Sequence, residues 1–145
     1  MLYENISSDF EDKLFEIKEA CIINANIILD TSPNYDDNEI SPINCDMGLD
    51  VLREKIAEIL GTIAKYLFHE NPDSTFLITG GDTLISFMKS LEVTEMCPIE
   101  EILPGVVAAE FIHAGVCHQI LTKSGGFGEK NLLPRLSEII NRGKV

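Results

Sequence analysis

Apolar positions along this chain alternate between two spacings, one of helices and one of strands. Phe10, Leu14, Ile17 and Cys21 recur at helical intervals. Ser8 and Glu11 just ahead of them fit a capping box, so a helix is expected over about 9–22. Ile27-Ile28-Leu29-Asp30 is short and rich in β-branched residues, which predicts a buried strand. Residues 31–48 are polar and acidic, carry Pro33 and Pro42 and show no period. So long a connection is unusual in a compact domain, and it reads as a mobile surface loop or an insertion. Its Asp36, Asp37 and Glu39 read as solvated charges.

Leu49, Leu52, Ile56, Ile59, Ile63 and Leu67 form the cleanest helical stripe, predicting a helix over about 48–69 that stops before Asn71-Pro72. Residues 75–79 are a strand, broken by Gly80-Gly81. Asp82-Thr83 then open a helix that carries Leu84, Ile85, Met88 and Leu91. Strands are expected near 106–112 and 119–123. A last helix is expected over about 131–142, with Leu132, Leu133, Leu136, Ile139 and Ile140 inward. Pro134 is tolerable in its first turn, where amides lack intrahelical partners. The order predicts an α/β layered domain, a mostly parallel or mixed sheet flanked by helices. A helical crossover joins the strands at 27–30 and 75–79, which favours pairing them in parallel.

Composition narrows the class. The 145 residues make one domain's worth of chain, and 45% hydrophobic content excludes a disordered one. No apolar run approaches the ~20 residues of a membrane span. The first ten residues carry acids and no basic region, unlike a signal peptide. A formal charge of −13 would repel nucleic acid and anionic membranes. It leaves room for a small anion held by backbone amides. Cys21, Cys45, Cys97 and Cys117 include no CxxC pair and read as reduced, mostly buried thiols of a cytoplasmic protein. His69 falls at a helix C-terminus, where a cation is favoured. His113 and His118 flank a turn without metal-ligand company, so no metal site is expected from the side chains.

Two glycine loops carry the candidate chemistry. Thr79-Gly80-Gly81-Asp82-Thr83 joins a strand end to a helix start, the place where open α/β sheets bind ligands. It reads either as a tight turn capped by Asp82 or Thr83, or as an anion-binding turn. Lys123-Ser124-Gly125-Gly126-Phe127-Gly128 also follows an apolar strand and precedes a helix. A nest of amides for a nucleotide explains its glycines, with Lys123 as counter-charge. The alternative is a strand-end lysine paired with an acid. Neither loop matches the Walker A or GxGxxG pattern. Leu103-Pro104-Gly105-Val106 is by itself only a turn signal. Ser124 has no placeable histidine–acid partners for a hydrolase triad.

Together, GGDT at 80–83, LPGV at 103–106 and KSGGFG at 123–128 resemble the C-terminal nucleotide-binding domain of the four-carbon acid sugar kinase family, in order and in spacing. The resemblance spans about 20–142 and is strongest from 75 onward. Enzymes of that family phosphorylate four-carbon sugar acids such as tetronates with ATP, using an N-terminal substrate domain and a C-terminal ATP domain. It implies that Gly80, Gly81, Asp82 and Thr83 meet the nucleotide phosphates. It also implies that Lys123, Ser124, Gly125, Gly126 and Gly128 form the second ATP loop, with Mg²⁺ as companion ion. Val107 replaces the family's proline after the PGV turn. The resemblance further implies that residues 1–145 are an incomplete ATP domain, without the substrate domain and without an upstream strand and loop.

Two functions follow. One is the ATP half of a sugar-acid kinase, inactive alone and served by a substrate domain in cis or in trans, with the acceptor-activating base outside this chain. The other is a non-catalytic nucleotide-binding module that self-associates through a sheet edge into a homo-oligomer. Arg53, Arg135 and Arg142 fall on predicted helices away from both loops, leaving no second constellation for a carboxylate.

Overall fold

The computed structural model describes residues 8–23, 26–30, 48–126 and 128–143. The acidic loop, Cys45, Phe127 and the segment 1–7 lie outside them, as do the capping-box side chains of Ser8 and Glu11. The chain divides into two compact units, Met1–Asp46 and Met47–Val145.

The first unit contains α1 (Ser8–Ile23), as its helical period predicts. The run 26–30 is not a strand, and Ile28 is 73% exposed. Three apolar residues, Ile27 to Leu29, carry no periodicity, and strand formation depends on a partner that local sequence does not specify. The expected parallel pairing of 27–30 with 75–79 is therefore corrected.

The second unit is an α/β layered domain. Its elements are α2 (Leu49–Glu70), β1 (Leu77–Thr79), α3 (Gly81–Ser90), β2 (Cys97–Leu103), β3 (Val106–His113), β4 (Val116–Lys123) and α4 (Leu132–Asn141). The four strands form one mixed sheet in the order β1-β4-β3-β2. The parallel partner of β1 is β4, with Thr79 opposite Lys123. Strands β2, β3 and β4 are antiparallel neighbours. Side chains alternate across the sheet, so each face builds its own core. Phe111, Ala109 and Ile120 pack with Phe68 of α2, with Phe87 and Met88 of α3, and with Leu91 at the end of α3. Val106, Ala108 and Leu121 pack with Leu132 and Leu136 of α4. Ile139 and Ile140 pack against that second cluster, whereas Leu133, expected inward, is exposed.

Strand β2 carries almost no period-two signal. Cys97, Pro98, Ile99, Glu100 and Glu101 are all exposed, and only Leu103 is buried. Two register shifts against β3, together with the proline and the glutamates, are features that blunt a sheet edge against further pairing.

Helix α2 buries a face turned away from most of its apolar stripe, and of that stripe only Leu67 is buried. The buried residues are Ala57, Gly61, Leu67 and Phe68, while Leu49, Ile56 and Ile59 stay exposed. Small residues win here because α3 comes very close. A Cβ on Gly61 would lie 2.7 Å from the Ser86 carbonyl carbon and 2.8 Å from the Phe87 nitrogen. Lys65 and Ser90 tie the two helices further, the Lys65 ammonium donating to the Ser90 carbonyl at 2.7 Å.

The thiols are less buried than expected. Cys97 and Cys117 are exposed and Cys21 is half-buried, and all three are free thiols. Desolvation and the nearby Glu110 carboxylate raise the Cys117 thiol above its ordinary range, so it stays protonated near neutrality. The three histidines converge around Phe68. The His69 and His113 rings are 5.5 Å apart and those of His113 and His118 6.4 Å apart. No group of three His, Cys, Asp or Glu side chains among the described residues is arranged to hold a metal. Among the described residues no helix is long and apolar enough to cross a membrane.

Candidate functional site

The parallel pairing of β1 with β4 puts both glycine loops at one end of the sheet. The Gly80 amide donates to the Lys123 carbonyl at 3.0 Å, directly joining the two motifs. The Ser124 amide donates to the Gly105 carbonyl at 3.2 Å, which brings in the LPGV turn as a third member. That turn is held by its own strand, with the Gly105 amide donating to Glu101 Oε1 at 2.8 Å. Three segments far apart in sequence thus meet through backbone hydrogen bonds beyond the carboxyl ends of two parallel strands. In open α/β sheets that is the ligand-binding position.

Gly80 is the N-cap of α3 and has φ +96°, a conformation that side chains other than glycine rarely adopt. The Gly80 carbonyl accepts the first helical bond, from the Leu84 amide at 3.1 Å. Neither Asp82 nor Thr83 caps the helix by a side-chain hydrogen bond. The strained turn is already made by Gly80, so Asp82 falls inside the first turn. The early α3 amides therefore have no side-chain cap competing for them.

Gly81, Gly125 and Gly126 differ from Gly80. None has a positive φ, and a Cβ on any of them would meet nothing within 4 Å among the described residues. The fold itself does not require glycine at these three positions. Gly128 is favoured as glycine by its φ of +135°, while the nearest atom to an added Cβ would be the movable Lys123 Cε at 3.2 Å.

Lys123 turns back onto its own loop. Its ammonium donates to the Ser124 carbonyl at 2.7 Å and to the Gly125 carbonyl at 3.3 Å. Among the described residues those two carbonyls, not an acid, are its hydrogen-bond partners. A hollow of about 240 Å³ opens beside the first loop, between Gly80–Thr83 and Arg53, Ile56 and Ala57 of α2. A larger one, about 890 Å³, opens beside the second, lined by Leu103, Pro104, Gly105, Ser124, Gly128, Leu132 and Arg135 with Glu101 and Glu129. Arg53 and Arg135 therefore stand at the loops, not away from them. Helical periodicity told which residues share a face but not which loop that face would meet. Arg142 pairs instead with Glu138, at 3.5 Å.

Residues 4–133 match the family described as the nucleotide-binding C-terminal domain. The chain belongs to this family. Its solved structural relatives are members of DUF1537, the four-carbon acid sugar kinase family, in agreement with the motif resemblance. Two crystal forms of a DUF1537 protein from Bordetella bronchiseptica, each described as a citrate-bound, domain-swapped dimer, share the fold. One is 26% identical with a TM-score of 0.53, over 60% of this chain and 22% of the relative. The other aligns over 93% of this chain and 32% of the relative, with a TM-score of 0.64 and 18% identity. This chain thus spans no more than about a third of the relative's length. No functionally curated protein matches it.

Proposed function

We propose that this nucleotide-binding domain is the ATP-binding part of a kinase for four-carbon sugar acids of the tetronate type, completed by a substrate domain in cis or in trans. The observation that carries the reading is the junction of GGDT, LPGV and KSGGFG at one sheet end, made by backbone hydrogen bonds. Gly81, Gly125 and Gly126 strengthen it. The fold does not need them as glycines, and close approach of a ligand to backbone amides does. Gly80, Gly81, Asp82 and Thr83 would meet the phosphates. Ser124, Gly125, Gly126 and Gly128 would line the nucleotide from the other side, with Lys123 bracing them.

Mg²⁺ fits this donor set, since it is usually held by substrate phosphates, water and one or two carboxylates, and Asp82 supplies a carboxylate at the hollow. Bound there, the ion would neutralise phosphate charge. The chain's part is to orient the polyphosphate with its amides. Cytoplasmic residence belongs to the same reading.

Titration calorimetry with ATP and Mg²⁺ should show weak binding. A coupled ADP-release assay over a panel of tetronates should show no turnover by the chain alone. Activity should appear when a substrate domain from a related kinase is added or fused, because acceptor and γ-phosphate must be held in line. Robust turnover by the chain alone would overturn the division of labour.

A second reading is a non-catalytic nucleotide-binding module that self-associates. It draws on the sheet order, which among the described residues leaves β1 with an outer edge, and on the domain-swapped dimers of the relative. ATP binding without turnover, even with a substrate domain supplied, and a dimer by analytical ultracentrifugation would favour it.

A further inference from the structure

We infer that Arg53 is the cation that recognises the polyphosphate at the Gly80–Thr83 loop, and that it makes the site prefer nucleotide di- and triphosphates over nucleosides. The inference rests on the nucleotide-binding reading above and names a residue that the motifs leave out.

Lys123 is the obvious counter-charge in the sequence, but its ammonium is occupied by the carbonyls of Ser124 and Gly125. The two hollows differ in charge. The larger one contains Arg135, but Glu129 lies 3.4 Å from that guanidinium and Glu101 lines the same hollow. Its apolar lining of Leu103, Pro104 and Leu132 suits a base better than a phosphate. The smaller hollow lies at the uncapped start of α3, and among the described residues Arg53 is the one basic residue in its lining. Helix α2 delivers Arg53 there because Gly61 and Ala57 let α2 and α3 pack closely.

The Arg53 side chain is 76% exposed, and among the described residues its charged partner is Asp50, at 3.8 Å and itself fully exposed. Such a pair is weak, so the guanidinium can be recruited at little cost. A planar, five-donor guanidinium beside free backbone amides is the arrangement that phosphate oxygens favour. Together these features put phosphates at Gly80–Thr83 and the base toward Pro104 and Leu132.

The test is calorimetry on the full chain with ATP, tripolyphosphate and adenosine, comparing wild type with Arg53→Gln, Asp50→Asn, Lys123→Met and Arg142→Gln. Arg53→Gln should weaken ATP and tripolyphosphate roughly tenfold or more, as expected for a charge-assisted contact. It should leave adenosine within about twofold. Asp50→Asn, which releases Arg53 from its competing carboxylate, should tighten ATP roughly two- to fivefold. Lys123→Met should weaken ATP and adenosine in the same proportion, because it loosens the loop. Arg142→Gln makes the same change in net charge at the far end of α4 and should change little. Circular dichroism should be unaltered in Arg53→Gln, since the residue is exposed and glutamine is a comparable helix former.

Equal losses for ATP and adenosine in Arg53→Gln would overturn the inference. So would a loss matched by Arg142→Gln, or a phosphate-dependent loss confined to Lys123→Met. If tripolyphosphate binds through Arg53 but no nucleotide binds, the anion site stands and the nucleotide reading falls. If neither binds wild type, both fall.

Discussion

Gly61→Ala should lower the stability of the domain by about 3 kcal/mol, the upper part of the range for overpacking a filled site. The sign is the sharp part. By helix propensity alone, alanine in mid-helix would gain about 1 kcal/mol over glycine. Here the added methyl would stand 2.7 Å from the Ser86 carbonyl carbon and 2.8 Å from the Phe87 nitrogen, both backbone atoms. Side-chain rotation cannot relieve such contacts. Ser86→Gly would remove only the third close atom, the Ser86 Cβ at 2.8 Å, and should fail to rescue. The helices would have to separate, disturbing Phe87, which is fully buried against Phe68 and Phe111. Thermal unfolding should show a midpoint lowered by roughly 10 °C. A midpoint raised or unchanged would mean that the close approach of α2 to α3 is absent in solution.

Gly81→Val should weaken ATP binding roughly hundredfold while leaving the fold intact, since several charge-assisted hydrogen bonds near the loop would be lost together. Gly81 suits this test better than Gly80. Gly80 has φ +96°, so any side chain there strains the turn and mixes a folding defect with a binding defect. Gly81 has no positive φ, and an added Cβ meets nothing within 4 Å among the described residues. Its substitution therefore acts mainly on what approaches from outside. Calorimetry should show the loss of ATP binding, with a melting midpoint close to wild type. Unchanged nucleotide affinity in Gly81→Val would count against phosphate binding at this loop, whatever the rest of the domain does.

The sequence by itself determined the helices and three of the four strands of the sheet, because these have strong local signals. Amphipathic periods set α1, α2 and α4 within a residue or two of their observed ends. Buried β-branched runs set β1, β3 and β4, and paired glycines set the breaks between strand and helix. The three glycine motifs were legible for the same reason, since each is contiguous. Tertiary structure alone decided what depends on partners. Strand β2 exists because β3 offers it an edge, although five of its seven residues are exposed. The run at 26–30 has strand composition and no strand. The buried face of α2 is set by how closely α3 approaches, which favours Gly61 over the larger side chains of the apolar stripe. Lys123 turns to its own loop carbonyls, and Arg53 reaches the first glycine loop across a helix–helix contact. Local periodicity fixes how a residue relates to its own element. Which loop, strand or charge it then meets is a long-range outcome of packing, and no window of neighbouring residues contains it.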